Sequence, residues 1–195
     1  FAGVGVAASH LTGEKINRFC HIHQNMADLL AKQKMTRLYC QEIGGCIQRC
    51  MGTDALNALS IASFEADEQH GTHYYKNFIE FMKKVQKEDL ALVCAQTDVK
   101  GNRAWRPAKQ QDPDLYLRVV EKRADGIIVN GAKAHNSCSA YADEIVVLPT
   151  RNMAADETDW AVAFSVPADT EGVYLINGAF NPPKHPRLSS PYCRQ

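Results

Sequence analysis

Cys46 and Cys50 are the residues whose type and spacing could do chemistry in this 195-residue chain, where they frame the stretch CIQRC. Thiolates are soft ligands that bind zinc and iron–sulfur clusters. On one continuous helix their Cβ atoms would lie about 5 to 6 Å apart, close enough to share a metal. Free cysteine also behaves as a small buried hydrophobe, and the spacing alone favours that second interpretation.

Further metal ligands are not evident near the pair. A tetrahedral zinc site and an iron–sulfur cluster each require ligands beyond two cysteines. His21 and His23 precede the pair, but two residues apart they would point to different sides of a helix. The chain has no second closely spaced cysteine pair and no HxxxH motif. The spacing by itself therefore indicates only that joint metal binding is possible.

Hydrophobic residues recur at three- and four-residue steps between Thr12 and Gln86, which predicts helices. Thr12 occupies a suitable N-cap position. A long middle helix is predicted from about Lys34 to Ala62, because Gly52 would weaken it by only about 1 kcal/mol. The residues that show the period are Ile16, Phe19, Cys20 and His23, followed by Tyr74, Phe78, Phe81, Met82 and Val85.

Short apolar or alternating runs follow residue 88, bounded by Asp-Pro, Asp-Gly, Glu-Gly and Asn-Gly turn signals. These runs predict strands, and helices followed by strands favour an α+β fold. We predict a helical domain over residues 1–88, a β domain over 89–180 and an irregular tail over 181–195 with four prolines. The runs are residues 90–96, 115–122, 126–133, 144–149, 160–167 and 173–177.

Composition limits the possible partners and surroundings. Hydrophobic residues make up 45% of the chain and its 22 basic residues balance its 22 acidic residues, which indicates a globular protein. Scattered basic residues predict no nucleic-acid partner. No apolar run reaches the roughly 20 residues that span a bilayer, so a cytoplasmic protein without a membrane partner is predicted. Seven cysteines, an odd number, predict reduced thiols. The absence of an initial Met predicts that the chain begins within a longer one.

Several blocks in order carry a family resemblance, from about Glu14 to Ile176. They include KINRFCHIHQNMADLLAKQKMTRLYCQEIGGCIQRCMGTDALNAL, GTHYYKNFIEFMKKVQKEDL, TDVKGNR, DPDLYLRVVEKRADGIIVNGAKAH and PTRNMAADETDWAVAFSVPADTEGVYLI. The chain thereby resembles the 4-hydroxybutyryl-CoA dehydratase family, whose members also isomerise vinylacetyl-CoA. The resemblance implies an acyl-CoA-dehydrogenase-like fold with N-terminal helices, an antiparallel β domain and a C-terminal helical bundle that is missing from this sequence.

The same resemblance implies an iron–sulfur cluster. Family members hold a 4Fe-4S cluster with three cysteines and one histidine, and two of those cysteines match Cys46 and Cys50. The resemblance therefore reverses the preference for a buried pair. Cys193 and His185 do not stand in matching contexts, so the other two ligands are expected outside this sequence. Cys20, Cys40 and Cys94 are expected to be core or surface thiols.

FAD is the second cofactor that the resemblance implies, held by two loops. On chemical grounds Lys100 and Arg103 could pair with the pyrophosphate, while Gly101 lets backbone N–H groups approach it. Without the resemblance, both loops would be ordinary solvated connections. The sequence departs from the family at Ser137-Cys138, where Thr-Gly is expected. The matching residues are Thr97, Asp98, Lys100, Gly101, Asn102 and Arg103 in the first loop, and Asn136, Ser137, Cys138 and Ser139 in the second.

The activity implied is the dehydration of 4-hydroxybutyryl-CoA to crotonyl-CoA by a radical mechanism, in a homotetramer. FAD would oxidise the substrate transiently, and the cluster would act as a Lewis acid at the leaving hydroxyl. Glu42, Glu65 and His70 are general candidates for a base, but the sequence assigns none of them. One alternative is a reduced-flavin-dependent phenol or 4-hydroxyphenylacetate monooxygenase, which has no use for the cysteine pair. Another is an inactive fragment without bound cofactor.

Overall fold

The computed structural model describes residues 3–46 and 49–176. It has three longer helices and seven strands in these residues, with short 3-10 helices between them. The helices are α1 (Met26–Ile43), α2 (Cys50–His70) and α3 (Tyr74–Glu88). The strands are β1 (Val6–Ala8), β2 (Lys15–Asn17), β3 (Leu92–Ala95), β4 (Arg118–Arg123), β5 (Gly126–Asn130), β6 (Glu144–Val147) and β7 (Phe164–Pro167).

An antiparallel hairpin precedes the helices, so the helix predicted to begin at Thr12 is wrong. Strands β1 and β2 pair with Ala7 opposite Ile16, and Thr12 lies in their turn, where its N–H donates to Ser9 Oγ at 3.2 Å. A 3-10 helix over Arg18–Cys20 follows at once, capped by the side chain of Asn17. A strand joined directly to a 3-10 helix thus produced the spacing that resembled an α-helix.

Two helices replace the predicted continuous middle helix. Helix α1 ends at Gly44, which has a left-handed backbone with φ of 70° and whose N–H donates to Cys40 O. Glycine adopts this conformation without steric cost, and it commonly ends helices. Helix α2 begins only at Cys50, so the predicted helix over residues 34–62 is wrong at the cysteine pair.

The longer helices pack on the sheet through one apolar cluster. The predicted periodic helix over Tyr74 to Val85 is confirmed as α3, with Met82 and Val85 fully buried. Gly52 lies where α2 crosses β3, and a Cβ atom there would overlap the main-chain carbonyl group of Leu92. The cluster contains Cys20, Ile22, Ala55, Leu56, Phe78, Met82, Val85, Leu92 and Val146.

The main sheet has the strand order β3-β6-β7, and its sense is mixed. Strand β6 pairs in parallel with β3 and antiparallel with β7. The prediction of a purely antiparallel sheet is therefore wrong for β3 and β6, because a long connection that includes the β4–β5 hairpin separates them. Five predicted strands are confirmed with shifted ends. The sixth is wrong for residues 173–176, which form no strand, and the predicted tail over 181–195 lies outside the described residues.

Within residues 3–46 and 49–176, every helix is too short or too polar to cross a bilayer. The six cysteines of this part of the chain form no disulfide with one another.

Candidate functional site

The carboxyl ends of β3 and β6 lie at the same edge of the sheet, because these two strands are parallel. The first predicted flavin loop follows β3 at this edge. The chain returns to the edge after β5, where Lys133 pairs with Asp98 as an isolated antiparallel bridge. The Ala134 N–H donates to Thr97 O at 2.7 Å. The structure thus brings the starts of the two predicted loops together.

Lys133 is a residue of this site that the sequence did not predict. Its ammonium lies 2.8 Å from Asp98 Oδ1, and the two side chains are only 7% and 2% exposed. It also donates to Gln96 O at 3.2 Å and to Leu148 O at 2.8 Å. Burial lowers the pKa of Lys133, and its hydrogen bond to Asp98 opposes that shift. The GAK block contained this lysine, but no sequence signal indicated that it would be buried.

The turn of the first loop depends on two residues with left-handed backbone. Lys100 has a φ of 77° and Gly101 a φ of 51°, while the Lys100 N–H donates to Leu115 O at 3.2 Å. A Cβ atom on Gly101 would lie 2.6 Å from Leu115 Cδ1 and 2.7 Å from Gln110 Oε1. The turn itself therefore requires glycine here.

The remaining predicted residues of the first loop differ in what they can offer a ligand. Asp98 is occupied, because it also accepts from the Leu117 N–H at 3.0 Å. Asn102 accepts from the Ala104 N–H at 3.0 Å and so caps its own turn. Lys100 and Arg103 form no ion pair with any described residue. These two cations can therefore take an anionic group.

The second predicted loop is a compact turn. Ser139 Oγ donates to Asn136 O at 2.7 Å, and Ser137 is exposed. Cys138 has a left-handed backbone with φ of 71°. Glycine adopts this conformation at little cost, which explains why the resemblance implies glycine where this chain has cysteine. The loop keeps its turn despite the larger residue.

A shallow cavity of about 280 Å³ lies beyond β6, lined by residues 149, 151–153 and 161–163. The buried carboxylate of Glu157 supports the segment behind it, accepting from Arg106 and from the Ala154 N–H. The hydrogen bonds from Arg106 lower the pKa of Glu157. Arg106 also donates to Asn152 O at 3.1 Å, so this ion pair holds one wall of the cavity.

The cysteine pair lies at the junction of α1 and α2. Cys46 is exposed between the helices, and Cys50 is the half-buried first residue of α2. The premise that one helix face carries both is wrong. Burial raises the pKa of Cys50, and the neighbouring Cys46 thiol raises it further. A bound metal would have to deprotonate this thiol.

In the described part of the chain, no group of three or more His, Cys, Asp or Glu side chains could hold a metal. Cys46 and Cys50 could therefore provide two ligands, which is half of what a 4Fe-4S cluster needs. His185 and Cys193 lie outside the described residues. Glu42, Glu65 and His70 are on helices α1 and α2.

Three histidines meet beside the β1–β2 hairpin, which the sequence did not predict. Ring centroids lie 6.2 Å apart for His10 and His21 and 6.4 Å apart for His21 and His23. Burial lowers the pKa of half-buried His23, and the positive charge of Lys32 lowers it further. The extended segment after the 3-10 helix brings these rings together, so their helical spacing was uninformative.

The mixed sheet, helical layer and paired loops place the protein in a flavoprotein family. The chain belongs to the 4-hydroxyphenylacetate 3-hydroxylase N-terminal family, which it matches over residues 2–192. It is 46% identical over 178 residues to the 4-hydroxybutyryl-CoA dehydratase/vinylacetyl-CoA-Δ-isomerase of Clostridium aminobutyricum, covering 91% of this chain and 36% of that protein. The resemblance to this dehydratase family is therefore confirmed.

Solved structures give the same order of similarity. An oxygen-tolerant archaeal 4-hydroxybutyryl-CoA dehydratase from N. maritimus superposes with a TM-score of 0.86 at 44% identity, over 87% of this chain and 34% of that one. The oxygenase component of 4-hydroxyphenylacetate 3-monooxygenase, complexed with FAD and 4-hydroxyphenylacetate, has a TM-score of 0.65 at 26% identity over the same shares. The chain spans about a third of the length of these relatives.

Proposed function

We propose that this chain is the N-terminal part of an enzyme that dehydrates 4-hydroxybutyryl-CoA to crotonyl-CoA and isomerises vinylacetyl-CoA. The observation that carries the proposal is the cysteine pair at the start of α2, in a chain 46% identical to a dehydratase with that activity. The hydroxylase relatives are more distant, with 28% identity for the Thermus thermophilus oxygenase component.

FAD is the cofactor proposed for the two loops. The support is geometric, since the loops start side by side and the cations of Lys100 and Arg103 are not neutralised by described carboxylates. Those cations suit the flavin pyrophosphate. Thr97, Asn136 and Ser137 are proposed to hydrogen-bond the polar edge of the isoalloxazine. When bound, the flavin supplies one-electron chemistry.

A 4Fe-4S cluster is proposed at the helix junction, with Cys46 and Cys50 as two of its ligands. The positive end of the α2 dipole favours a thiolate at Cys50, the first residue of that helix. Exposure of Cys46 leaves the site open to ligands from elsewhere in the protein. The cluster would supply Lewis acidity at the leaving hydroxyl.

The protein's own contribution to this chemistry is binding and orientation. The proton at the substrate's β carbon has no adjacent carbonyl to stabilise its removal, so both cofactors must act on one held substrate. We assign no base, because Glu42, Glu65 and His70 have no described contact with either loop. A homotetramer and an acyl-CoA substrate are part of the proposal.

Anaerobic purification followed by iron, sulfide and flavin analysis tests it, together with an assay for crotonyl-CoA formation from 4-hydroxybutyryl-CoA. We expect flavin, iron and sulfide together with dehydration. Flavin without iron, together with hydroxylation of 4-hydroxyphenylacetate by reduced flavin, would replace the proposal with the monooxygenase alternative. That alternative is favoured by the superposition on an FAD-bound hydroxylase component. Neither cofactor would favour an inactive fragment.

A further inference from the structure

We propose that Lys133 is a positioning residue that fixes the two flavin loops against each other and thereby sets flavin affinity. The inference rests on the proposed FAD site. Lys133 is the last residue before the second loop, and Asp98 belongs to the first loop, so their ion pair joins the two directly.

The contacts of Lys133 reach three separate segments of the chain. Its ammonium binds the carbonyl of Gln96 at the end of β3, the carboxylate of Asp98, and the carbonyl of Leu148 just after β6. These segments leave the carboxyl edge of the sheet in different directions. One cation thus determines the spacing of all three.

Lys133 has no donor left for a ligand. A lysine ammonium has three N–H donors, and the three oxygen partners lie at 3.2 Å, 2.8 Å and 2.8 Å. Its side chain is 7% exposed, which also separates it from any bound cofactor. The residue therefore acts on the flavin through the loops and makes no contact with it.

Burial makes the pair sensitive to the loss of either partner. A buried charge is stabilised only by its partners, and removing one of them leaves the other unpaired at high cost. Asp98 would keep its hydrogen bond from the Leu117 N–H but lose its cation. We expect its loop to move toward water to hydrate the carboxylate, away from the second loop.

The test compares Lys133→Met with Lys84→Met in the purified protein. Lys84 pairs with the buried carboxylate of Glu144 on β6 at 3.3 Å, far from both loops along the same sheet. The two variants therefore make the same substitution at a buried carboxylate. Flavin affinity is measured by quenching of FAD fluorescence, and the loops are followed by hydrogen–deuterium exchange without flavin.

Lys133→Met should weaken FAD binding by about 10- to 100-fold, the usual effect of removing a supporting contact around a bound group. Exchange should rise in residues 97–103 and 134–139 together. Lys84→Met should leave both measurements near the parent values. The double variant Lys133→Met/Asp98→Asn removes the unpaired buried charge, so its thermal stability should recover while flavin affinity stays low.

Recovery of flavin affinity along with stability in the double variant would overturn the positioning role and leave a purely structural one. Unchanged exchange in both loops of Lys133→Met would overturn the inference whatever the flavin result. If the parent protein binds no FAD, the proposed function fails and the claim about affinity fails with it. The exchange data then still decide whether Lys133 holds the loops together.

Discussion

Lys133 and Asp98 are almost fully buried in contact with each other, whereas Cys46 is exposed and Cys50 is half-buried at a break between helices. The loop pair has its geometry before any cofactor arrives, because a buried ion pair and main-chain hydrogen bonds hold it. At the cysteine pair the burial of Cys50 favours the neutral thiol. There, a metal would have to deprotonate and order the ligands itself.

The contrast teaches how one chain can divide the construction of two cofactor sites. A flavin site needs loops held at fixed spacing, which the sheet edge provides. A cluster gathers its own ligands and lowers the pKa of the thiols it binds. Cofactor loss should therefore disturb the helix junction more than the loops.

The largest effect is expected from removing the cysteines. Cys46→Ser and Cys50→Ser should each lose nearly all bound iron, because a hydroxyl is a poor ligand for the cluster compared with a thiolate. Iron content and visible absorption measure this loss. Cys40→Ser is the matched control, since Cys40 lies in α1 away from the junction. Equal iron loss in the control would show that thiol substitution acts through folding.

Gly52 links the two regions, because it follows Cys50 in α2 and packs on β3, the strand that leads to the first loop. Glycine to alanine usually stabilises a helix by up to about 1 kcal/mol. Here Gly52→Ala should instead lower the free energy of unfolding by about 1 to 3 kcal/mol, because the new Cβ would overlap the backbone of Leu92. Chemical denaturation measures it.

The control for this substitution is Gly126→Ala, where nothing lies within 4 Å of the added Cβ. Its stability should stay near that of the parent. A stabilised Gly52→Ala variant would contradict the close approach of α2 and β3.

Thr53 fixes the first turn of α2, next to Cys50. Its buried hydroxyl donates to Phe19 O at 2.7 Å. Thr53→Val should lower the free energy of unfolding by about 1 to 2 kcal/mol, because the Phe19 carbonyl loses its partner. Thermal or chemical unfolding measures the change.

Thr36→Val provides the opposite case, since Thr36 Oγ1 is buried with no hydrogen-bond partner among the described residues. This variant should be neutral or slightly more stable. Equal losses in both variants would mean that the Thr53 hydrogen bond contributes nothing.

The smallest effect concerns pH and the histidines beside the helix junction. Burial and the charge of Lys32 lower the pKa of His23 in the folded protein. The unfolded chain, with an ordinary value of about 6.5, therefore binds the proton more readily. Stability from this group is complete above that value and falls as the pH drops through it toward the folded pKa. The groups that act on His23 are Lys32, His21, Asp28 and Asp54.

Denaturation curves between about pH 7.5 and about pH 5.5, above the range where most carboxylates titrate, measure this dependence. His23→Gln should reduce the slope of stability against pH. His10→Gln, at an exposed position, should reduce it less. A slope unchanged by His23→Gln would show that its protonation is not linked to folding.

Several elements could be predicted from local sequence because local forces determine them. Helix α3 has a continuous apolar face, and strand β6 is a continuous buried run. The β4–β5 hairpin follows from the Asp-Gly turn signal between alternating residues. The family resemblance identified both flavin loops before any geometry was known, although no contact to a flavin tests the individual residues.

Other features depend on tertiary contacts that periodicity does not encode. The end of α1 required the left-handed backbone at Gly44, which the sequence reasoning passed over in favour of Gly52. The parallel pairing of β3 with β6 joins residues about fifty positions apart along the chain. Lys133 looked like a surface lysine, and only its burial between two strand ends reveals its role.

The central claim is that one chain carries two independently built cofactor sites. Iron and flavin content in Cys50→Ser and Lys133→Met, each purified anaerobically beside the parent protein, test it most directly. Cys50→Ser should lose iron and keep flavin, and Lys133→Met should lose flavin and keep iron. Loss of both cofactors from each variant, or a parent protein that contains flavin but no iron, would contradict the account.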